Sequence, residues 1–157
     1  MLGSDRSMIK IISVGKIKEK YLLDAIEEYK KRLSKYTKLN IIEVPDENFD
    51  ISKTLEKEKD SILKNISEKD YIVTLDIEGN SITSIEFANK INDIFNHNSD
   101  ITFIIGGSYG LHEEIKKLSN YSLSFSKMTF PHQLFRVMLL EQIYRAYKIN
   151  NNETYHK

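Results

Sequence analysis

The chain contains no cysteine. Disulfides, zinc–thiolate centres and thiol nucleophiles are therefore excluded, and the composition fits a reducing cytoplasm. No apolar run approaches the roughly 20 residues that span a bilayer, so no membrane partner is expected. Ile9–Val14 is broken by Lys10 and Ser13 and reads as a strand, not as a signal-peptide core. Net charge is lacking too: 23 Lys+Arg balance 23 Asp+Glu. That balance argues against non-specific nucleic-acid binding, which usually marks a strongly basic domain. The four histidines (His97, His112, His132 and His156) show no ligand spacing, so no metal is expected.

What is present describes one globular domain. The 157 residues are 40% hydrophobic and 29% charged, enough for a real core. Met1–Ser7 carries no pattern and reads as an expression scar or a disordered extension, with Met8 as the natural start and residues 8–157 as the domain. The charge is uneven along the chain. Lys16 to Lys38 is basic, Asp46 to Asp60 acidic, and the stretch from Lys127 to Lys157 mildly basic again. Solvated helix faces explain most such clusters.

Hydrophobic periodicity gives an alternating order of strands and helices. Ile9–Gly15 reads as a buried strand, and Tyr21, Leu22, Ala25, Ile26, Tyr29 and Leu33 recur at helical spacing. Leu39–Val44 is a strand stopped by Pro45, and Leu55–Ile66 a helix. Tyr71–Leu75 is a third strand, with Asp76–Asn80 as its turn. Helix Ile85–Phe95, strand Ile101–Ile105, helix Leu111–Leu118, strand Tyr121–Leu123 and helix His132–Ile149 complete the series. Such alternation implies a mainly parallel sheet covered on both faces, a single-domain α/β fold.

Ligands in open α/β sheets bind beyond the carboxyl ends of strands. Three such ends carry suggestive residues. The first is Leu75. The second is Gly106-Gly107-Ser108-Tyr109-Gly110, which follows an apolar strand. Its spacing is GGxxG, not the GxGxxG of dinucleotide sites, and no acidic residue ends a following strand where a ribose partner belongs. A plain tight turn remains the alternative. The third is Phe125-Ser126-Lys127-Met128-Thr129-Phe130, running into Pro131. Its apolar members are either ordinary core or the walls of a purine slot.

Chemistry-bearing residues lie close by. His132 and Arg136 sit one turn apart at the start of the last helix, where His132 is either structural or a proton acceptor. Glu141 and Arg145 have the spacing of an intrahelical ion pair. Tyr155 and His156 end the chain, where residues normally fray, and no packing role for them is evident. The last helix is apolar nearly all round, as a deeply buried or interfacial helix would be.

Taken together, the segments Ile104–His112, Leu123–His132 and Tyr155-His156-Lys157 closely resemble the RlmH family of SPOUT-class methyltransferases, and the resemblance runs from Met8 to Lys157. It implies an α/β fold with a C-terminal trefoil knot, which neither composition nor periodicity reveals. It further implies transfer of a methyl group from S-adenosyl-L-methionine to N3 of pseudouridine 1915 in 23S rRNA, on the assembled ribosome. Matched by motif, the donor contacts fall on Leu75, Gly106, Phe125, Ser126, Lys127, Met128, Thr129 and Phe130. The catalytic candidates are His132, Arg136, Tyr155 and His156, with a homodimer bringing one subunit's tail to the other's pocket. Two rival readings stay open: a nucleotide-binding α/β enzyme of another class, such as a dehydrogenase, and a non-catalytic ribosome-associated factor.

Overall fold

A computed structural model describes residues 7–157. Its elements run β1 (Met8–Val14), α1 (Lys20–Leu33), β2 (Lys38–Val44), α2 (Ile51–Leu63), β3 (Tyr71–Ser81), α3 (Ser84–Phe95), β4 (Asp100–Ile105), α4 (Glu113–Leu118), β5 (Tyr121–Ser124) and α5 (His132–Asn150). The five strands form one sheet in the order β2-β1-β4-β3-β5, and every neighbouring pair is parallel. Parallel pairing places all the carboxyl ends along one edge, and that edge carries the site.

Strand alternation feeds two cores. Ile9 and Ile11 of β1 point into a cluster with Leu22, Phe103, Leu139 and Ile143, contributed by α1, β4 and α5. Ile12 and Val14 point the other way, towards Ile62 of α2 and Ile115 of α4. Helices α1, α3 and α5 thus cover one face, and α2 and α4 the other. Ile9, Ile12, Ile101 and Phe103 are wholly inaccessible, as expected of central strands buried on both sides. No helix among the described residues is long and apolar enough to cross a membrane.

Local chemistry fixes the boundaries and explains where the periodicity misleads. Helix α2 begins at Ile51, ahead of its apolar repeat, because the Asp50 carboxylate accepts from Lys53 N–H at 2.8 Å. Helix α3 starts in a Thr83–Glu86 capping box. Helix α4 starts at Glu113, not Leu111, because His112 caps it: Nδ1 accepts from Glu114 N–H at 3.0 Å. The expected turn at Asp76–Asn80 lies within β3 as a strand irregularity. Leu75 and Asn80 both pair with Leu123, so residues 76–79 bow out and return. Gly79 makes the return possible, since a Cβ there would stand 2.8 Å from the Ser122 carbonyl carbon.

The reading of residues 1–7 falls outside the described residues except at Ser7. That residue is buried, with its hydroxyl 3.0 Å from the Thr37 hydroxyl.

Candidate functional site

Leu75, the last residue of β3 before its bow, Ile105 at the end of β4 and Leu123 near the end of β5 line one cavity of about 290 Å³, which the segments beyond them close around. Gly106, Phe125, Ser126, Met128, Thr129 and Phe130 line it together with Leu75 and His132. Gly106 and Met128 therefore share a cavity. Lys127 is in the same loop but is exposed and does not line the cavity. The lining also includes Asp76, Ile77, Leu111 and Phe135, which the sequence did not single out. Asp76 bows out with the β3 irregularity, and Phe135 becomes visible only once α5 is docked.

Each loop is built for close approach. At Gly106, a Cβ would stand 2.5 Å from the Gly110 carbonyl oxygen, so only glycine lets residues 107–110 fold back over it. Gly110, at φ +76°, donates its N–H to the Gly107 carbonyl at 3.0 Å. The segment is thus a tight turn as well as a cavity wall. In the other loop the Ser124 hydroxyl donates to the Ile77 carbonyl at 3.0 Å, tying β5 to the bowed part of β3. Met128 N–H donates to the Ser126 hydroxyl at 3.0 Å. The Phe125 ring stacks on Phe135 of α5 with centroids 4.8 Å apart. Phe125 is in part the core residue that its apolar character suggested, whereas Met128 is 74% exposed at the mouth.

A third cavity, of about 240 Å³, lies behind the same loop. Phe125 and Phe130 line its front, and Met138 and Gln142 of α5 its back. The Phe125–Phe130 loop is therefore a partition between two hollows.

His132, the first residue of α5, is exposed and lines two cavities. The second, of about 590 Å³, lies over the ends of β1 and β2. Arg136 borders it but is committed to the frame. Its guanidinium donates to Glu43 Oε2 at 2.7 Å, to the Val14 carbonyl at 3.0 Å and to the Gly15 carbonyl at 2.7 Å. Its side chain is only 3% exposed. Burial pulls its pKa below the usual guanidinium value, and the adjacent Glu43 carboxylate opposes that pull. Arg136 thus pins the start of α5 to the ends of β1 and β2, a role that helical spacing could not reveal.

A buried carboxyl stands behind the glycine turn. Glu58 of α2 is 3% exposed. Its Oε2 accepts from Glu47 N–H at 3.1 Å. Its Oε1 has no hydrogen-bond partner among the described residues and stands 3.4 Å from where a Gly107 Cβ would be. Burial raises its pKa, and the neighbouring Asp46 and Glu47 charges add to the rise.

The tail folds back on its own helix. The Tyr155 hydroxyl donates to Glu141 Oε2 at 2.5 Å, and its ring meets Tyr144 edge-on at 5.0 Å. Arg145 pairs with Glu141 at 3.0 Å, the expected intrahelical bridge, and its Nη1 lies 3.1 Å from His156 Nδ1. Burial, then hydrogen bonding to the Glu141 carboxylate, pushes the Tyr155 phenol up to about 12. Tyr155 therefore has the packing role that the sequence did not disclose. Neither Tyr155 nor His156 lines the cavity of its own chain.

Among known proteins, the family described as "Predicted SPOUT methyltransferase" matches residues 8–156. The ribosomal RNA large subunit methyltransferase H of Clostridium tetani is 60% identical, over 95% of this chain and 99% of that protein. The protein of the same name from Clostridium botulinum strain Kyoto is 57% identical over the same shares. Two solved structures share the fold. A probable methyltransferase from Bordetella pertussis Tohama I superposes with a TM-score of 0.59 at 12% identity, covering 89% of this chain and 94% of that one. The SpoU methyltransferase AviRb from Streptomyces viridochromogenes, solved with AdoMet, gives 0.50 at 11% identity, covering 90% and 58%. A match over nearly the whole length and this degree of identity settle the kinship: the chain belongs to the SPOUT methyltransferases, in the group of the ribosomal RNA large subunit methyltransferases H.

Proposed function

We propose that the chain is an S-adenosyl-L-methionine-dependent methyltransferase acting at N3 of pseudouridine 1915 in 23S rRNA, on the assembled ribosome. The observation that carries this reading is the single cavity walled by both late loops, in a chain 60% identical to a ribosomal RNA large subunit methyltransferase H. The trefoil knot, the homodimer and a cytoplasmic location belong to the same reading.

The residues present fit such a donor. Leu75, Phe125 and Phe130 offer apolar walls for a purine, and the glycine corner at Gly106 brings backbone against it without a Cβ in the way. When bound, the donor supplies an electrophilic methyl on a sulfonium. The chain's own tasks are to hold donor and acceptor in line, exclude water and manage the N3 proton. His132 is suited to the last task, because its imidazole lines both cavities. Arg136 holds the backbone on which His132 stands. Tyr155 and His156 act on the partner subunit's cavity, since neither lines the cavity of its own chain. The half-buried strip of Val137, Met138 and Glu141, with exposed Leu134, offers the face for that pairing.

Mass spectrometry of rRNA from cells lacking the protein tests the reading. One methyl lost from a single pseudouridine is expected, and an unchanged nucleoside profile overturns it. Calorimetry with S-adenosyl-L-methionine and with NAD adds a second arm, in which binding of NAD alone would favour a dehydrogenase.

A further inference from the structure

The cavity over β1 and β2 is larger than the one at the glycine turn, about 590 against 290 Å³, and the proposed donor site does not include it. From β1 the chain passes to β2 on one side, while β4 and then β3 lie on the other. The connections therefore diverge between β1 and β4, the kind of switch point where open α/β sheets take ligands. The glycine turn follows β4 and the second cavity follows β1, so the two flank this crevice and meet at His132.

Lys16 and Lys18 line the second cavity. Both are exposed, and neither forms an ion pair among the described residues. Their backbone, by contrast, is braced at each step. Gly15 N–H donates to the Val44 carbonyl at 2.8 Å, and the Gly15 carbonyl accepts from Arg136. Ile17 is buried, with its N–H on Glu43 Oε2 at 3.0 Å. Lys18 N–H reaches Gln133 Oε1, on α5 next to His132, at 3.4 Å. A rigid loop thus presents two unpaired ammonium groups beside the shared histidine. The facing acids are Glu43, which is taken up by Arg136 and Ile17, and exposed Asp46. Pre-set cations with no protein partner suit an anionic polymer, whose binding then loses less entropy.

We infer that the cavity at the ends of β1 and β2 is the groove for the acceptor RNA strand, with Lys16 and Lys18 holding phosphates that flank the nucleotide presented at His132. This rests on the rRNA reading above. It gives a chain of zero net charge a local RNA contact, and it assigns the methyl donor and the acceptor strand to separate cavities.

The test compares wild type, Lys16→Ala/Lys18→Ala and a control, Lys64→Ala/Lys69→Ala, whose lysines precede β3 at the opposite sheet edge. Ribosome co-sedimentation at several salt concentrations, methylation kinetics on ribosomes, and calorimetric S-adenosyl-L-methionine affinity are measured for each. For the Lys16/Lys18 variant, ribosome affinity and kcat/KM should fall about tenfold, while donor affinity stays at the wild-type value. Its slope of log affinity against log salt should be shallower by about 1 to 2, as expected for two lost phosphate contacts. An unchanged salt slope, an equal loss in the control, or a parallel loss of donor affinity overturns the inference. If wild type fails to methylate while ribosome binding still depends on Lys16 and Lys18, the reaction assignment falls and the groove stands.

Discussion

Replacing Arg136 with methionine keeps most of the apolar stem and deletes the guanidinium that joins α5 to the ends of β1 and β2. Two backbone carbonyls, at Val14 and Gly15, lose donors held at 3.0 and 2.7 Å. Each such loss costs about 1 kcal/mol. Glu43 loses its partner as well, but its side chain is 36% exposed and regains water, so it adds only about 1 kcal/mol. The sum of about 3 kcal/mol sits at the low end for breaking a buried pair from one side. For a domain of this size that lowers Tm by about 6 to 12 °C. Differential scanning calorimetry reads the shift directly. The loss should persist at high salt, because a pair with one buried member is weakly screened. Arg136→Lys should recover only part of it, since one ammonium cannot meet three acceptors spread over two strand ends. A Tm within about 2 °C of wild type for Arg136→Met would refute the anchoring role. So would wild-type Tm with abolished turnover in Arg136→Lys, which would return Arg136 to the reacting atoms.

Further outcomes follow from the same geometry. Gly106→Ala drives a Cβ onto the Gly110 carbonyl; overpacking of about 1 to 3 kcal/mol should open the turn and weaken S-adenosyl-L-methionine binding at least about tenfold by calorimetry, and wild-type affinity would contradict it. Glu58→Gln mimics the protonated acid. The folded-state pKa of Glu58 is raised, so wild type loses stability as pH climbs from the ordinary carboxylate value through that higher one. The variant should therefore be the more stable in urea at neutral pH and lose its advantage in acid; the reverse order would refute the upward shift of the buried carboxyl. Tyr155→Phe removes the bond to Glu141 and should cost about 1 to 2 kcal/mol in urea unfolding. In wild type the raised phenol means that this contribution fades as pH rises from about 10 towards the folded-state value of about 12. An ultraviolet titration showing Tyr155 ionising at the ordinary phenol value would contradict it.

Periodicity made most of the fold legible. The apolar runs of β1 and β4 and the helical spacing of α1 and α3 lie within a residue or two of the observed elements. Capping was harder to see, because the helix-starting roles of Asp50 and His112 depend on side-chain oxygen and nitrogen reaching backbone N–H groups. The bow at Asp76–Gly79 was legible as a turn but not as an interruption within a continuing strand, since its return depends on Gly79 against β5. At the site, glycine and loop-borne aromatics drew attention to Gly106 and Phe125–Phe130. What escaped was tertiary. Arg136 finds Glu43 from 93 residues away, Glu58 reaches under the glycine turn, and Tyr155 seats on Tyr144. No local pattern encodes such meetings.

The partition formed by Phe125–Phe130 has a pharmacological consequence. Phe125 is braced on Phe135, but Phe130 has hollows before and behind and lacks the packed backing that fixes most active-site surfaces. A small compound lodged beside Met138 and Gln142 would press on the proposed donor slot from its rear, competing with the proposed subunit pairing at Met138 and not with the donor itself. Rear-face inhibitors of that kind would escape the cross-reactivity that troubles mimics of a methyl donor shared by unrelated enzymes.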